Sequence, residues 1–119
     1  MDNKINEINI SDLLNSCPTG ILKINKKGKI VYSNDRAAEI LNIEKTMLYK
    51  RDHNDKKWEI RDFSGNRIKN KDLPFEKVRR TLGPIYNSEL LVNGDNGSKI
   101  FLCVNAEPVF DDNNDFAGM

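Results

Sequence analysis

The sequence predicts an α+β fold in which the helices are inserted between two antiparallel hairpins. Three observations carry this. Gly20–Ile24 and Lys29–Ser33 are short β-prone runs joined by a Gly-containing loop, and Ile85–Val92 and Lys99–Glu107 form a second, longer pair around Asn93-Gly94-Asp95-Asn96-Gly97. Between them lies a stretch with helical spacing and helix-stop signals.

Taken in order, the segment from Asp2 to Ser16 carries Ile5, Ile8, Leu13 and Leu14 among polar residues. Ser11 is the expected N-cap of a short helix that Pro18 ends. Its apolar stripe is sparse, so residues 1–17 read as a docking segment ahead of a domain over 18–119. In the first hairpin Gly28 supplies the positive φ that the loop needs. Asn34 then caps a helix over Asp35–Leu41, and a second short helix is expected around Glu44–Tyr49. Arg51–Lys57 reads as a solvated, charge-rich connector, and Trp58–Asn66 as an alternating run that ends in a turn. Pro74 opens the longest helix, whose apolar face is Phe75, Val78 and Leu82 and which Gly83-Pro84 closes. In the last hairpin Tyr86, Ser88, Leu90 and Val92 share one face of the first arm. Ile100, Leu102, Val104 and Ala106 share one face of the second, opposite Phe101, Cys103 and Asn105. Apolar residues on both faces predict a central strand or an outer face that meets another surface. A polar turn at Asp111–Asn114 leads into Phe116-Ala117-Gly118, and an ending inside a strand predicts a piece of a longer protein.

Composition narrows the function. The chain has 119 residues, enough for one core that buries roughly two-thirds of its unfolded surface without disulfides. Nineteen Lys and Arg against eighteen Asp and Glu leave a net charge of +1, which argues against nucleic-acid binding and direct membrane contact. No apolar run is long enough to span a bilayer or serve as a signal peptide, so a cytoplasmic setting is expected. Cys17 and Cys103 are far apart and read as buried thiols.

The order of elements and several motifs resemble PAS domains, the sensory modules of histidine kinases, cyclic-dinucleotide enzymes and chemoreceptors. The resemblance rests on Gly20-Ile21-Leu22, on Gly28-Lys29-Ile30-Val31-Tyr32-Ser33-Asn34 leading into Ala37-Ala38, and on Ala106-Glu107-Pro108-Val109-Phe110-Asp111 leading to Gly118. Trp58, the Asp62–Gly65 turn, Pro74 and Gly83 add a likeness to PAS domains with an extended middle segment. Asn114 stands where the family has Gly, a change the left-handed tolerance of Asn permits. The resemblance implies a five-stranded antiparallel sheet with short helices and one longer helix packed on one face. It also implies a cavity between the layers and a truncated final strand lying beside the first.

Chemistry is sparse. With His53 as the single histidine, no Ser-His-Asp, Cys-His or two-histidine metal constellation can form within the chain, and no catalytic site is expected. The polar neighbours of His53 predict a surface position and not a haem ligand, and the Asn-Cys-Arg-Phe motif of flavin photoreceptors is absent, so neither haem nor flavin is expected. Asp111, Asn113 and Asp115 have calcium-loop spacing, but Phe116 occupies the glycine position, which leaves a polar turn. By alternation and helical facing the expected pocket residues are Leu22, Ile24, Tyr32, Phe75, Val78, Tyr86, Leu90, Leu102 and Val104. The expectation is a cytoplasmic sensor domain, part of a two-component histidine kinase, that takes a small molecule between sheet and helices. The alternative is a ligand-free interaction module that holds two protomers as a homodimer.

Overall fold

The computed structural model describes residues 9–119. Ile5 and Ile8 of the expected docking segment lie outside the described residues. Within them the elements run α1 (Ile10–Asn15), β1 (Leu22–Ile24), β2 (Ile30–Ser33), α2 (Asp35–Leu41) and α3 (Lys45–Leu48). Two 3-10 turns follow at Lys56–Trp58 and Asn70–Asp72, then α4 (Pro74–Thr81), β3 (Ile85–Asn93), β4 (Lys99–Ala106), β5 (Val109–Phe110) and β6 (Phe116–Gly118).

All the ladders are antiparallel. They pair β1 with β2, β3 with β4 and β5 with β6, in place of the single five-stranded sheet expected. β6 nevertheless lies against β1: Ile24 N–H donates to the Met119 carbonyl and Met119 N–H to the Ile24 carbonyl, each at 2.8 Å. Gly118 is required at this crossing, because its φ is 144° and a Cβ there would stand 2.2 Å from the Ile24 carbonyl oxygen. No ladder joins β4 to β1 or β6 among the described residues, so the sheet is interrupted along the β4 edge. The outer edge of β3 is covered by the 59–69 loop, where Arg61 and Leu91 exchange backbone hydrogen bonds of 2.9 and 2.7 Å. That bridge and another from Arg61 to Arg67 are the β-bridges of the alternating Trp58–Asn66 run among the described residues; it is a clamp on an edge, with the expected turn at Asp62–Gly65.

Asn34 joins the N-terminal elements. It is fully buried and caps α2 by accepting from Ala37 N–H at 2.9 Å. The same side-chain oxygen accepts from Ile21 N–H at 2.8 Å, and its NH2 donates to the carbonyls of Leu14 and Thr19, each at 2.9 Å. Both N–H donors and both acceptor sites of the amide are therefore used. α1 itself is capped by Asn9, which accepts from Ser11 N–H, so Ser11 sits inside the first turn and not at the cap.

The core is Ile24, Ile30, Leu41, Ile43, Leu48, Trp58, Phe75, Leu90 and Val92, each contributing about 2 kcal/mol where fully buried. Two expectations about facing fail for backbone reasons. Leu82 adopts a left-handed cap with φ 56° and donates its N–H to the Val78 carbonyl, which turns it out of the α4 stripe to 52% exposure. Asn87 has φ 56° at a register shift between Ile85 and Ser88, and this bulge reverses the alternation so that Tyr86 faces outward. The thiols also differ from expectation, Cys17 being half-buried and Cys103 exposed.

Replacing Asn34 by Ala leaves two N–H donors and two carbonyls without their partner, and the expected loss is about 3 kcal/mol in urea unfolding. Asn34→Asp keeps the two accepted bonds but sets a carboxylate oxygen against the Leu14 and Thr19 carbonyls. Its deficit should shrink as the pH falls and the carboxyl becomes a donor.

Candidate functional site

A cavity of about 550 Å³ lies between the first hairpin, the β3–β4 hairpin and α4. Leu22 and Ile24 of β1, Ile30 of β2, Phe75 of α4, Leu90 and Val92 of β3 and Leu102 and Val104 of β4 supply its apolar walls, with Trp58 and Ile60 from the central loop. Thr19, Gly20, Ala37 and Ile40 also line it. Gly20 permits the close approach of α2, since a Cβ there would meet the Ala37 Cα at 3.0 Å. Every residue from Phe101 to Glu107 borders the cavity, whereas a strand points only alternate side chains to one face. The mouth therefore runs along the β4 edge, where the sheet is interrupted.

Of the residues expected to line a pocket, Leu22, Ile24, Phe75, Leu90, Leu102 and Val104 surround this cavity. Tyr32, Val78 and Tyr86 do not. Val78 is fully buried in packing outside the cavity wall, and Tyr86 is turned away by the Asn87 bulge. Tyr32, half-buried on β2, keeps its hydroxyl out of solvent with no hydrogen-bond partner among the described residues.

The largest departure from the sequence reading is His53, whose side chain is only 9% exposed and borders the cavity instead of lying in solvent. Its N–H donates to the Gly28 carbonyl at 2.7 Å and its ring packs on Phe75 with centroids 4.5 Å apart. Gly28 has φ 87°, and a Cβ there would come 2.8 Å from the His53 ring, so the glycine serves the turn and the histidine together. His53 Nε2 lies 3.7 Å from Glu76, which is also held by Arg79 Nε at 3.1 Å. Burial pushes the imidazole below its usual pKa, opposed by Glu76 and Asp52 and assisted by Arg79. The site thus offers an apolar enclosure with one neutral imidazole in its wall. No cluster of metal-ligating side chains occurs among the described residues, and the Asp111 carboxylate is used within its own turn by the N–H groups of Asn113 and Asp115.

A sequence scan against protein families finds no matching model, and no curated protein matches. A search of solved structures finds the PAS domain of Bordetella pertussis BvgS, with a TM-score of 0.56 and 13% identity over 92% of this chain and 75% of that one. The fold is PAS-like, as the sequence resemblance implied. Among the described residues no helix is long and apolar enough to cross a membrane.

Because the folded-state pKa of His53 is lowered, the unfolded chain binds a proton more readily than the native one below about pH 6.5. Stability is expected to be full above that pH and to fall as the solution is acidified through it. His53 is the only histidine, so urea midpoints at pH 7.5 and 5.5 isolate its effect. His53→Gln should flatten the difference; an unchanged difference means that other groups cause it.

Proposed function

We propose that this chain is a sensory PAS module, receiving a small and mostly apolar molecule in the cavity between its strands and α4 and passing the signal to an output domain. The observation that supports this most is the cavity itself. Its volume falls within the roughly 300–1,000 Å³ of small-molecule sites, and its wall is apolar apart from His53 and a few groups at the ends and mouth. A ligand there would bear on Phe75 of α4 and on β4 at once. It changes the output only if it binds two arrangements of these elements with different affinity. We place the module in a cytoplasmic histidine kinase, needing no resident cofactor and catalysing nothing itself. In this reading the strands form one five-stranded sheet in which β5 continues the β4 arm and β6 lies between that arm and β1, for which the β5–β6 ladder and the Ile24–Met119 pairing are the support.

A screen of apolar and aromatic metabolites by thermal shift, with native mass spectrometry for carried-over ligand, tests the reading. A true ligand at a hundred times its Kd stabilises by about 2.7 kcal/mol, a rise of about 10 °C for a domain of this size. Leu102→Trp fills the cavity from a half-buried wall position and should abolish the shift while leaving the protein folded. An equal shift in that variant places the ligand elsewhere, and a panel without any shift counts against sensing.

A second reading, a homodimerisation module, draws support from exposed apolar residues. Phe101 and Tyr86 on the β3–β4 hairpin are each 63% exposed, and α1 exposes Ile10 and Leu13 at 71% and 55%. Phe63 partly covers Phe101, with ring centroids 5.2 Å apart in an edge-to-face pair. Light scattering on a chain lacking the residues before Pro18 should give a monomer mass if α1 is the contact; a persisting dimer excludes α1 from that role.

A further inference from the structure

A second depression, about 760 Å³, lies between the 54–59 loop, Arg67–Asn70 and the β3–β4 turn, and shares only Ile60 and Leu73 with the main cavity. Its lining carries more charge. Arg51, Lys56, Lys57 and Arg67 line it, together with Asp55, Glu59 and Asp95. Arg51 is the unusual member, because a charged residue in a connector that reads as solvated is only 5% exposed. Its guanidinium lies over Trp58, with Cζ 4.4 Å from the ring centre.

The hydrogen bonding of that guanidinium is incomplete. A guanidinium carries five N–H donors, and a buried one is stable when a carboxylate or phosphate engages it in a bidentate fork. Here Nη2 makes a single long contact of 3.5 Å with Asp95 Oδ1, and Nη1 is out of solvent with no acceptor among the described residues. Asp95 is a loose partner, its side chain being 53% exposed on the turn between β3 and β4. The other carboxylates are occupied: Asp55 accepts from Lys57 N–H, and Glu59 accepts from the Asn93 side-chain amide. Lys56, Lys57 and Arg67 form no ion pairs among the described residues.

We propose that this depression binds a small oxyanion, a phosphate or carboxylate group, on the Arg51 guanidinium, and that Asp95 is the internal competitor it displaces. The oxyanion completes the fork that Asp95 fills with one oxygen, and Lys56, Lys57 and Arg67 supply the surrounding positive charge. Since Nη1 is shielded, entry requires the Asp95 turn to move aside. Trp58 belongs to the wall of the main cavity, so the Arg51–Trp58 stack joins the two sites through one indole.

Trp58 is also the only tryptophan, which makes the site directly readable. The full chain is titrated at pH 7.5 with sodium phosphate, and separately with sodium malonate, against sodium chloride at matched ionic strength, following tryptophan fluorescence. The expected result is a saturable change with at least one of the two oxyanions and none with chloride; which one responds assigns the group. Asp95→Asn, an exposed change that leaves the fold alone, should tighten the midpoint by about three-fold or more by removing the competitor. Arg51→Gln should abolish the response. A response to both oxyanions that follows chloride, an Asp95→Asn midpoint equal to or weaker than that of the native chain, or saturable binding retained in Arg51→Gln overturns the proposal.

Discussion

The architecture depends on one buried amide. Asn34 follows β2, caps α2, and holds the chain at Ile21 and the carbonyls of Leu14 and Thr19, so four backbone groups from three segments converge on a side chain with no exposed surface. An amide suits this position because it offers two donors and two acceptor sites without charge. Asp lacks the donors and Gln places the group one carbon further out. Satisfying all four contacts in a dry environment also makes the arrangement unique, since any shift of β1 against α2 leaves a polar group unpaired.

That constraint reaches the cavity through its neighbours. Thr19 and Gly20 lie just before Ile21, and Ala37 and Ile40 belong to the helix that Asn34 caps; all four residues line the cavity. The β4 boundary is looser, because among the described residues β4 is paired only with β3 and its free edge forms the mouth. Asn34-held residues and an unpaired edge give a pocket that is shaped by the fold and open along one strand. His53 also lines it, fixed by the Gly28 carbonyl and by the face of Phe75.

Much of this was legible in the sequence because it is local. The Gly28 turn, the Asn34 cap, the Pro74 start of α4 and the left-handed Asn114 with φ 63° each follow from the conformational preference of one residue. The inward faces of β4 and of the C-terminal part of β3 follow from simple alternation. The failures are where a distant contact or a backbone irregularity decides. Arg51 and His53 stand in a run of charged residues that looks solvated, and only the Trp58 stack and the backbone bond to Gly28 draw them inward. The Asn87 bulge reverses Tyr86 with no glycine or proline inside β3 to signal it. One available hint was Asn87 itself, since Asn tolerates the left-handed conformation that such bulges use.

The central claim, that Asn34 holds the frame around the cavity, is tested most directly by residue-resolved amide hydrogen exchange. Ile21 and Ala37 donate their N–H groups to the Asn34 side chain, while Gly97 lies in the open β3–β4 turn. If the account is right, the Ile21 and Ala37 amides exchange only through global unfolding, with protection equal to that of Leu90, which pairs with Leu102 in the β3–β4 ladder. Exchange at those two amides as fast as that of Gly97 would contradict it, showing that the junction opens independently of the fold.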